Sequence, residues 1–332
     1  MVNDPTPPPF RLQAAAGQKP LRLDRFLTQA LPAISRNKVH GLIEAGLVFV
    51  NGQVVRKSWR VTGGDVVEIL FRPQEPSDIL AEEIPLEIHY EDESLLVVNK
   101  PAGMVTHPAH GNFSGTLVNA LLHHLGKTTG PDNLRPGIVH RLDKGTSGLL
   151  VVAKDEKVHR KLTEQFSKRT VEREYRSLVW GRFKHDEGRI ETLLDRHQGD
   201  RKRFAVVRKG GKEAITTYRV LENYADTAYV RLKLGTGRTH QIRVHLEHIG
   251  HPVFGDSSYG GRLKRVGHFG GARKKFYQDI FQDVEYFMLH ARTLGFVHPV
   301  SNEVLSFAAE PPELFVNVLE ILKKDALLEL DK

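Results

Sequence analysis

Between Glu75 and Glu93 the sequence carries eight acidic residues and no lysine or arginine, with Pro73, Pro76 and Pro85 alongside. Such a stretch reads as an interdomain linker, and as one that a polyanion avoids. It cuts the chain of 332 residues in two, the domain count that about 150 residues per domain also suggests. The expected organisation is a flexible tail over residues 1–19, a small domain over 20–75, the acidic linker over 76–85 and a larger domain over 86–332. The tail follows from its Pro, Ala and Gln content, which offers too little apolar surface to offset ordering.

Charge narrows the class of partner. The formal net charge is +8 and the basic excess is uneven, a pattern that favours a polyanion. The absence of cysteine excludes disulfides, a thiolate nucleophile and cysteine-ligated zinc. No apolar run approaches the roughly 18 residues of a membrane span, and residues 1–9 lack the basic start and apolar run of a signal peptide. A soluble, cytoplasmic protein with no membrane association is expected.

In the small domain, apolar spacing predicts a helix from Leu23 to Leu31. Ser35 then caps a second helix running to Glu44 and stopping at Gly46. Asn51-Gly52 between apolar stretches predicts a tight hairpin, and Gly63-Gly64-Asp65 turns the chain into a last strand from Val66 to Phe71. Residues 19–60 hold eight basic side chains against Asp24 and Glu44. They form either a phosphate-attracting face or a solvated surface. The ordered features Arg22-Leu23-Asp24-Arg25-Phe26-Leu27, Ser35-Arg36, Gly46-Leu47-Val48, Val50-Asn51-Gly52 and Gly64-Asp65 resemble the RNA-binding domain first described in small-subunit ribosomal protein four. That resemblance implies RNA contacts from Arg25, Arg36 and Lys38.

In the larger domain, apolar strands such as 95–98 and 148–153 alternate with helical stretches such as 158–166. Later segments such as 230–234 alternate at period two, whereas 242–246 fits a strand or the start of a helix. An amphipathic helix closes the chain from about Pro312 to Leu328. The fold class read from this pattern is α+β, on a mixed, largely antiparallel sheet.

The densest polar cluster is His140-Arg141-Leu142-Asp143-Lys144-Gly145-Thr146-Ser147-Gly148, just ahead of an apolar strand. An aspartate flanked by cations stays ionised and suits a nucleophile or base; equally, Asp143 and Ser147 could cap local backbone groups. The cluster resembles the catalytic motif of the RluA-type pseudouridine synthases. Asn99-Lys100-Pro101-Ala102-Gly103-Met104-Val105-Thr106-His107-Pro108, Arg173-Glu174-Tyr175 and Gly237-Arg238-Thr239-His240-Gln241-Ile242-Arg243-Val244-His245 are similar to further motifs of that family, in the same order. Within it, the large-subunit synthase D type is resembled through Asn119-Ala120-Leu121-Leu122-His123, Pro136-Gly137-Ile138-Val139 and Gly255-Asp256-Ser257-Ser258-Tyr259-Gly260-Gly261. Gly145 departs from many relatives, which carry an acidic residue there.

The resemblance implies isomerisation of uridine to pseudouridine in RNA, most readily large-subunit ribosomal RNA or the assembling subunit. A transfer-RNA synthase and a non-catalytic ribosome-assembly protein are the alternatives. It implies Asp143 as the carboxylate at the sugar, Arg238 as its guanidinium partner and Tyr175 against the base. Arg141 fills the stack that the everted base leaves, and His140, Leu142 and Ile242 join it around the substrate. No cofactor and no metal are needed, and no obligate protein partner is implied. Basic residues at 196–212, among them Arg201, Lys202 and Arg203, could extend a backbone track with the small domain. The basic stretch 262–275 reads either as a loop that orders on RNA or as a solvated insertion. Spacings His107/His110 and His245/His248 are discounted as metal sites, and Asp256 reads as a turn residue rather than a second catalytic acid.

Overall fold

The computed structural model describes residues 9–31, 34, 36–70, 79–108, 112–126, 137–200 and 202–330, apart from the side chains of 36–38 and 329–330. The chain divides into two compact units, Met1–Ser77 and Asp78–Lys332.

The first unit runs β1 (Phe10–Gln13), β2 (Leu21–Arg22), α1 (Leu23–Ala30), α2 (Arg36–Glu44), β3 (Val48–Val50), β4 (Gln53–Val54), β5 (Arg60–Val61) and β6 (Val66–Ile69). The Asn51-Gly52 turn joins β3 to β4 as expected, both residues taking positive φ (51° and 78°), the backbone that a two-residue hairpin turn needs. Leu23, Phe26 and Leu27 of α1 and Val39 and Ile43 of α2 bury against Val48, Val50, Val67 and Ile69 of the sheet. Ser35, the expected cap of α2, and Phe71 lie outside the described residues.

One expectation for the tail fails here. Residues 10–13 form a strand that pairs antiparallel with Val66–Ile69, and Ala14 is buried in the core of this unit. Apolar surface that is scarce locally is supplied by a partner strand more than fifty residues away.

The second unit continues with β7 (Glu87–Glu91), β8 (Leu95–Lys100), α3 (Leu117–His124), β9 (Ser147–Ala153), α4 (Glu156–Lys168), β10 (Glu172–Trp180), β11 (Glu187–Arg196), β12 (Phe204–Val207), β13 (Lys212–Asn223) and β14 (Thr227–Leu234). It ends with α5 (Gln241–His248), α6 (Leu263–Val266), α7 (Gly271–Asp283), β15 (Leu289–Val297), β16 (Val304–Ala308) and α8 (Glu313–Leu330). Among the described residues, ten strands make one sheet in the order β12-β11-β13-β14-β10-β15-β9-β8-β7, with β16 also on β15. Segment 242–246 is therefore helical, within α5.

Strand β9 is buried along its whole length, as a strand covered on both faces must be. Leu150 and Val152 face α3 through Leu117 and Leu121. Leu149 and Val151 face α4 through Val158 and Leu162. The pairing of β9 with β15 is parallel and short, His290 opposite Ser147 and Ala291 opposite Gly148, whereas the other described pairings are antiparallel. Gly148 makes this junction possible. Its φ is +116°, and a Cβ there would lie 2.3 Å from the Ala291 carbonyl oxygen. The loop carrying Asp143 enters the sheet at this point.

Two segments pack where loops were expected. Residues 79–85 lie against α3, with Ile79 on Val118 and Leu122 and the Asn119 side chain donating to the Leu80 carbonyl, so this part of the acidic stretch is not a free linker. The basic stretch 262–275 enters α6 and α7, whose Val266, Tyr277, Ile280 and Phe281 join Trp180, Phe254 and α8 in a second core. Arg273 donates to Asp226 and Asp325 at 2.5 and 2.6 Å, and Arg262 donates to the carbonyls of Val284 and Phe281. Those two cations hold the fold together. Among the described residues no helix is long and apolar enough to cross a membrane.

Candidate active site

A cavity of about 520 Å³ opens beside the start of β9, lined by the 139–143 loop, the end of α4, the start of β10 and the 234–243 turn leading into α5. The loop is braced from below. Thr106 Oγ1 donates to the Leu142 carbonyl at 2.9 Å and the Gly103 amide to the Lys144 carbonyl at 2.7 Å. Buried Lys100 gives its ammonium to the carbonyls of Pro101 and Met104 at 2.7 and 2.8 Å. Burial pushes Lys100 down to about 7, with the Asp143 charge opposing that fall. The 99–108 motif thus supports the loop instead of lining the cavity.

Asp143 keeps 18% of its side chain exposed, and its Oδ2 meets Arg243 Nη1 at 3.0 Å. The expected partner was Arg238, and this is a correction. Arg238 donates its Nε to the Glu213 carbonyl at 3.0 Å, while Arg243 projects from the first turn of α5. The helix sets the outcome: His240 takes a left-handed backbone (φ 55°) immediately before α5, reversing the chain between the two arginines.

Arg243 is itself held on all sides. Its Nε and Nη2 donate to the two oxygens of Asp256 at 2.7 and 3.0 Å. Its guanidinium lies between the rings of Tyr259 and Phe287, 4.8 and 4.3 Å from their centroids. Burial alone would lower its affinity for the proton, but the hydrogen bonds and charges of Asp256 and Asp143 outweigh that and fix the cation. Asp256 also accepts the amides of Ser258 and Tyr259, so the expected turn exists and the same carboxylate grips Arg243. Nη1 is left to meet Asp143, so that carboxylate is steadied while part of it faces the cavity.

The other expected residues distribute as follows. Tyr175 is 7% exposed and lines the cavity just past a bulge in the pairing of β10 with β15. Burial raises its hydroxyl pKa, with Arg173 opposing and Asp143 adding to the rise. Leu142 and Ile242 are core side chains that form cavity wall. His140 stacks on Phe166 at 4.4 Å; burial and the Arg173 charge push it down to about 3, so its ring is neutral. Arg141 is exposed at the rim. His240 Nε2 is 3.9 Å from Asp143, and its Nδ1 meets the Tyr259 hydroxyl at 2.9 Å.

Of the backbone-binding candidates, Arg25 and Lys202 are exposed, and Arg203 lies over the Tyr259 ring, 5.0 Å from its centroid. The side chains of Arg36 and Lys38, and all of Arg201, lie outside the described residues. The histidine spacings discounted for metal stay so for His245, whose ring nitrogens bond to Thr192 and Thr216; His110 lies outside the described residues.

Sequence reasoning missed Arg243, Lys100 and Gln241 as site-building residues, although each lies inside a quoted motif. Gln241 accepts from Thr236 Oγ1 and the Arg238 amide and donates to the Ile215 carbonyl, locking the turn beside the cavity. Phe287 had no motif to mark it.

Comparison with known proteins agrees with this architecture. The RNA pseudouridylate synthase family matches residues 94–248, and the S4 domain family matches residues 21–67. An uncharacterized RNA pseudouridine synthase of Chlorobaculum parvum is 44% identical over 94% of this chain and 97% of its own. The ribosomal large subunit pseudouridine synthase D of Haemophilus influenzae is 39% identical over 94% of each chain. Among solved structures, human RNA pseudouridylate synthase domain containing 4 superposes with a TM-score of 0.55 at 26% identity, over 71% of this chain and 93% of that one. With near-complete relatives at such identity, a matching α+β fold and an amino-terminal S4 domain, the chain belongs to the RNA pseudouridine synthases, enzymes that isomerise uridine in RNA to pseudouridine.

Proposed function

We propose that the RNA substrate is large-subunit ribosomal RNA and that Asp143 is the carboxylate that acts on the target nucleotide. The observation that carries the site is the partly exposed Asp143 carboxylate at a nucleotide-sized cavity, steadied by a guanidinium fixed by Asp256, Tyr259 and Phe287. A uridine stacked in a helix cannot reach it, so the nucleotide is flipped, a cost of a few kcal/mol that loops and bulges reduce.

In the reaction the N1–C1′ bond breaks, the uracil turns, C5 bonds to C1′, and the C5 hydrogen is lost as N1 gains one. A carboxylate at the sugar promotes the first step by attacking C1′ or by taking the C2′ proton. In this reading Tyr175 stacks on the base and retains the freed uracil. Arg141, at the rim, occupies the gap left in the RNA stack, and exposed Arg25 and Lys202 meet the backbone. Arg243 holds the Asp143 carboxylate aimed at the cavity. The likeness to the large-subunit synthase of Haemophilus influenzae over nearly the whole chain supports the substrate, and with it a location alongside assembling ribosomes in the cytoplasm.

The test is incubation with unmodified large-subunit, small-subunit and transfer RNA, followed by chemical mapping of new pseudouridines. Modification at discrete large-subunit positions is expected. Modification confined to transfer RNA, or none in any RNA with folded protein, overturns the proposal.

A further inference from the structure

Arg173 is a half-buried cation that forms no ion pair among the described residues. Its Nε is sealed from solvent and has no hydrogen-bond partner. Its guanidinium rests on the Phe166 ring at 5.4 Å, and Phe166 in turn stacks on His140. A buried N–H left unbonded costs about 1–3 kcal/mol, and folds keep such groups where an absent partner completes them.

The surroundings identify that partner. Arg173 lines the same cavity as Asp143 and Tyr175, and on β10 it is two residues before Tyr175, on the same face and about 7 Å along the strand. It is also less buried than Tyr175, toward the mouth. Gly237 forms the adjoining wall, where even a Cβ would lie 3.3 Å from Arg173 Nη1. The next residue, Arg238, is tethered through its backbone amide to Gln241 and through Nε to the Glu213 carbonyl, leaving its Nη groups for a ligand. Among the described residues neither arginine forms an ion pair. Glu213, the acid beside them, is turned toward Arg169.

We infer that Arg173 and Arg238 form a subsite for a phosphodiester flanking the target uridine. A guanidinium offers paired N–H groups matched to two non-bridging oxygens, and an everted nucleotide brings such an anion to the cavity mouth with its sugar. The inference rests on the proposed substrate pose, with the sugar at Asp143 and the base against Tyr175. It gives Arg238 a role in binding and Arg243 the pairing with Asp143.

The test uses the shortest RNA hairpin that the full-length protein modifies, synthesised with an uncharged methylphosphonate on the 5′ or the 3′ side of the target uridine. Binding and tritium release from 5-tritiated uridine are read separately. For the wild-type protein, one of the two substitutions weakens binding by about tenfold, the loss of one charge-assisted contact, with kcat little changed. Arg173→Met and Arg238→Met bind the all-phosphate hairpin about tenfold weaker and lose the discrimination against that methylphosphonate, whereas Arg173→Lys retains part of it.

Wild-type protein indifferent to both methylphosphonates overturns the subsite, and because it involves no variant, that result cannot be ascribed to misfolding. Losses that simply add, or an Arg173→Met effect confined to kcat, also overturn it while leaving the proposed reaction intact. No modification of any RNA by the wild-type protein overturns the proposed function, and the subsite with it.

Discussion

Replacing Asp256 with asparagine tests how the carboxylate at position 143 is held. Asp256 faces only donors: Arg243 Nε on one oxygen, and Arg243 Nη2 with the amides of Ser258 and Tyr259 on the other. Whichever way the asparagine amide is turned, its NH₂ meets an N–H, and the charge opposing Arg243 is gone. The ion pair is nearly sealed, with side-chain exposures of 7% and 1%. Breaking a buried pair costs about 3–5 kcal/mol. Asparagine keeps one acceptor and the shape, and Asp143 still faces Arg243, so the expected loss is at the low end, about 3 kcal/mol. For a domain of this size that lowers Tm by about 6–12 °C. Drawn toward Asp143, Arg243 shifts the carboxylate, and a displacement near 1 Å costs about a hundredfold in kcat, with RNA affinity unchanged within about threefold. Thermal melting followed by circular dichroism and single-turnover tritium release read the two effects. A variant melting within about 2 °C of wild type with full kcat would refute the reasoning, because Arg243 would then be set by something other than Asp256.

Two further outcomes follow from the same structure. Gly145 lies against Phe287, where an added Cβ would sit 2.7 Å from ring carbon Cε1; Gly145→Ala is expected to cost about 1–3 kcal/mol by overpacking and to slow catalysis by moving the ring off Arg243, and unchanged melting and rate would contradict this. Burial lowers His290 to about 4, between Ser147 Oγ and the Ala309 carbonyl, so below its unfolded value of about 6.5 the unfolded chain binds the extra proton. Its contribution is therefore complete above about pH 6.5 and declines toward pH 4 by up to about 3 kcal/mol; His290→Gln should flatten that part of the stability-against-pH curve, and a curve of unchanged slope would contradict the assignment.

Local chemistry made part of this fold legible. Asn51-Gly52 announces a turn because few other pairs accept two positive φ angles, and the apolar run at 149–152 announces a strand covered on both faces. What the sequence concealed depends on distant partners. Phe10 and Leu12 gain a strand only by meeting Val66–Ile69. At 262–275 the basic residues suggested a loop or a solvated insertion, although Val266, Phe269, Tyr277, Ile280 and Phe281, in and just beyond it, already carried helical spacing; charge density masked the period. The exchange of Arg238 for Arg243 has the same origin. Both arginines lie in one motif, and the choice turns on whether 242–246 continues as strand or coils into helix, which its alternating pattern leaves open. Asp256 looked like a turn former because it is one; its second task needed the Arg243 fork to be seen beside it.

The proposed reaction stands or falls with the carboxylate of Asp143 acting on the uridine. Its most direct measurement compares wild type and Asp143→Asn for tritium release from 5-tritiated uridine in unmodified large-subunit RNA, with RNA binding measured in parallel. Release is expected to be abolished in the variant while binding stays within a few-fold of wild type. Release by Asp143→Asn within tenfold of the wild-type rate would contradict it.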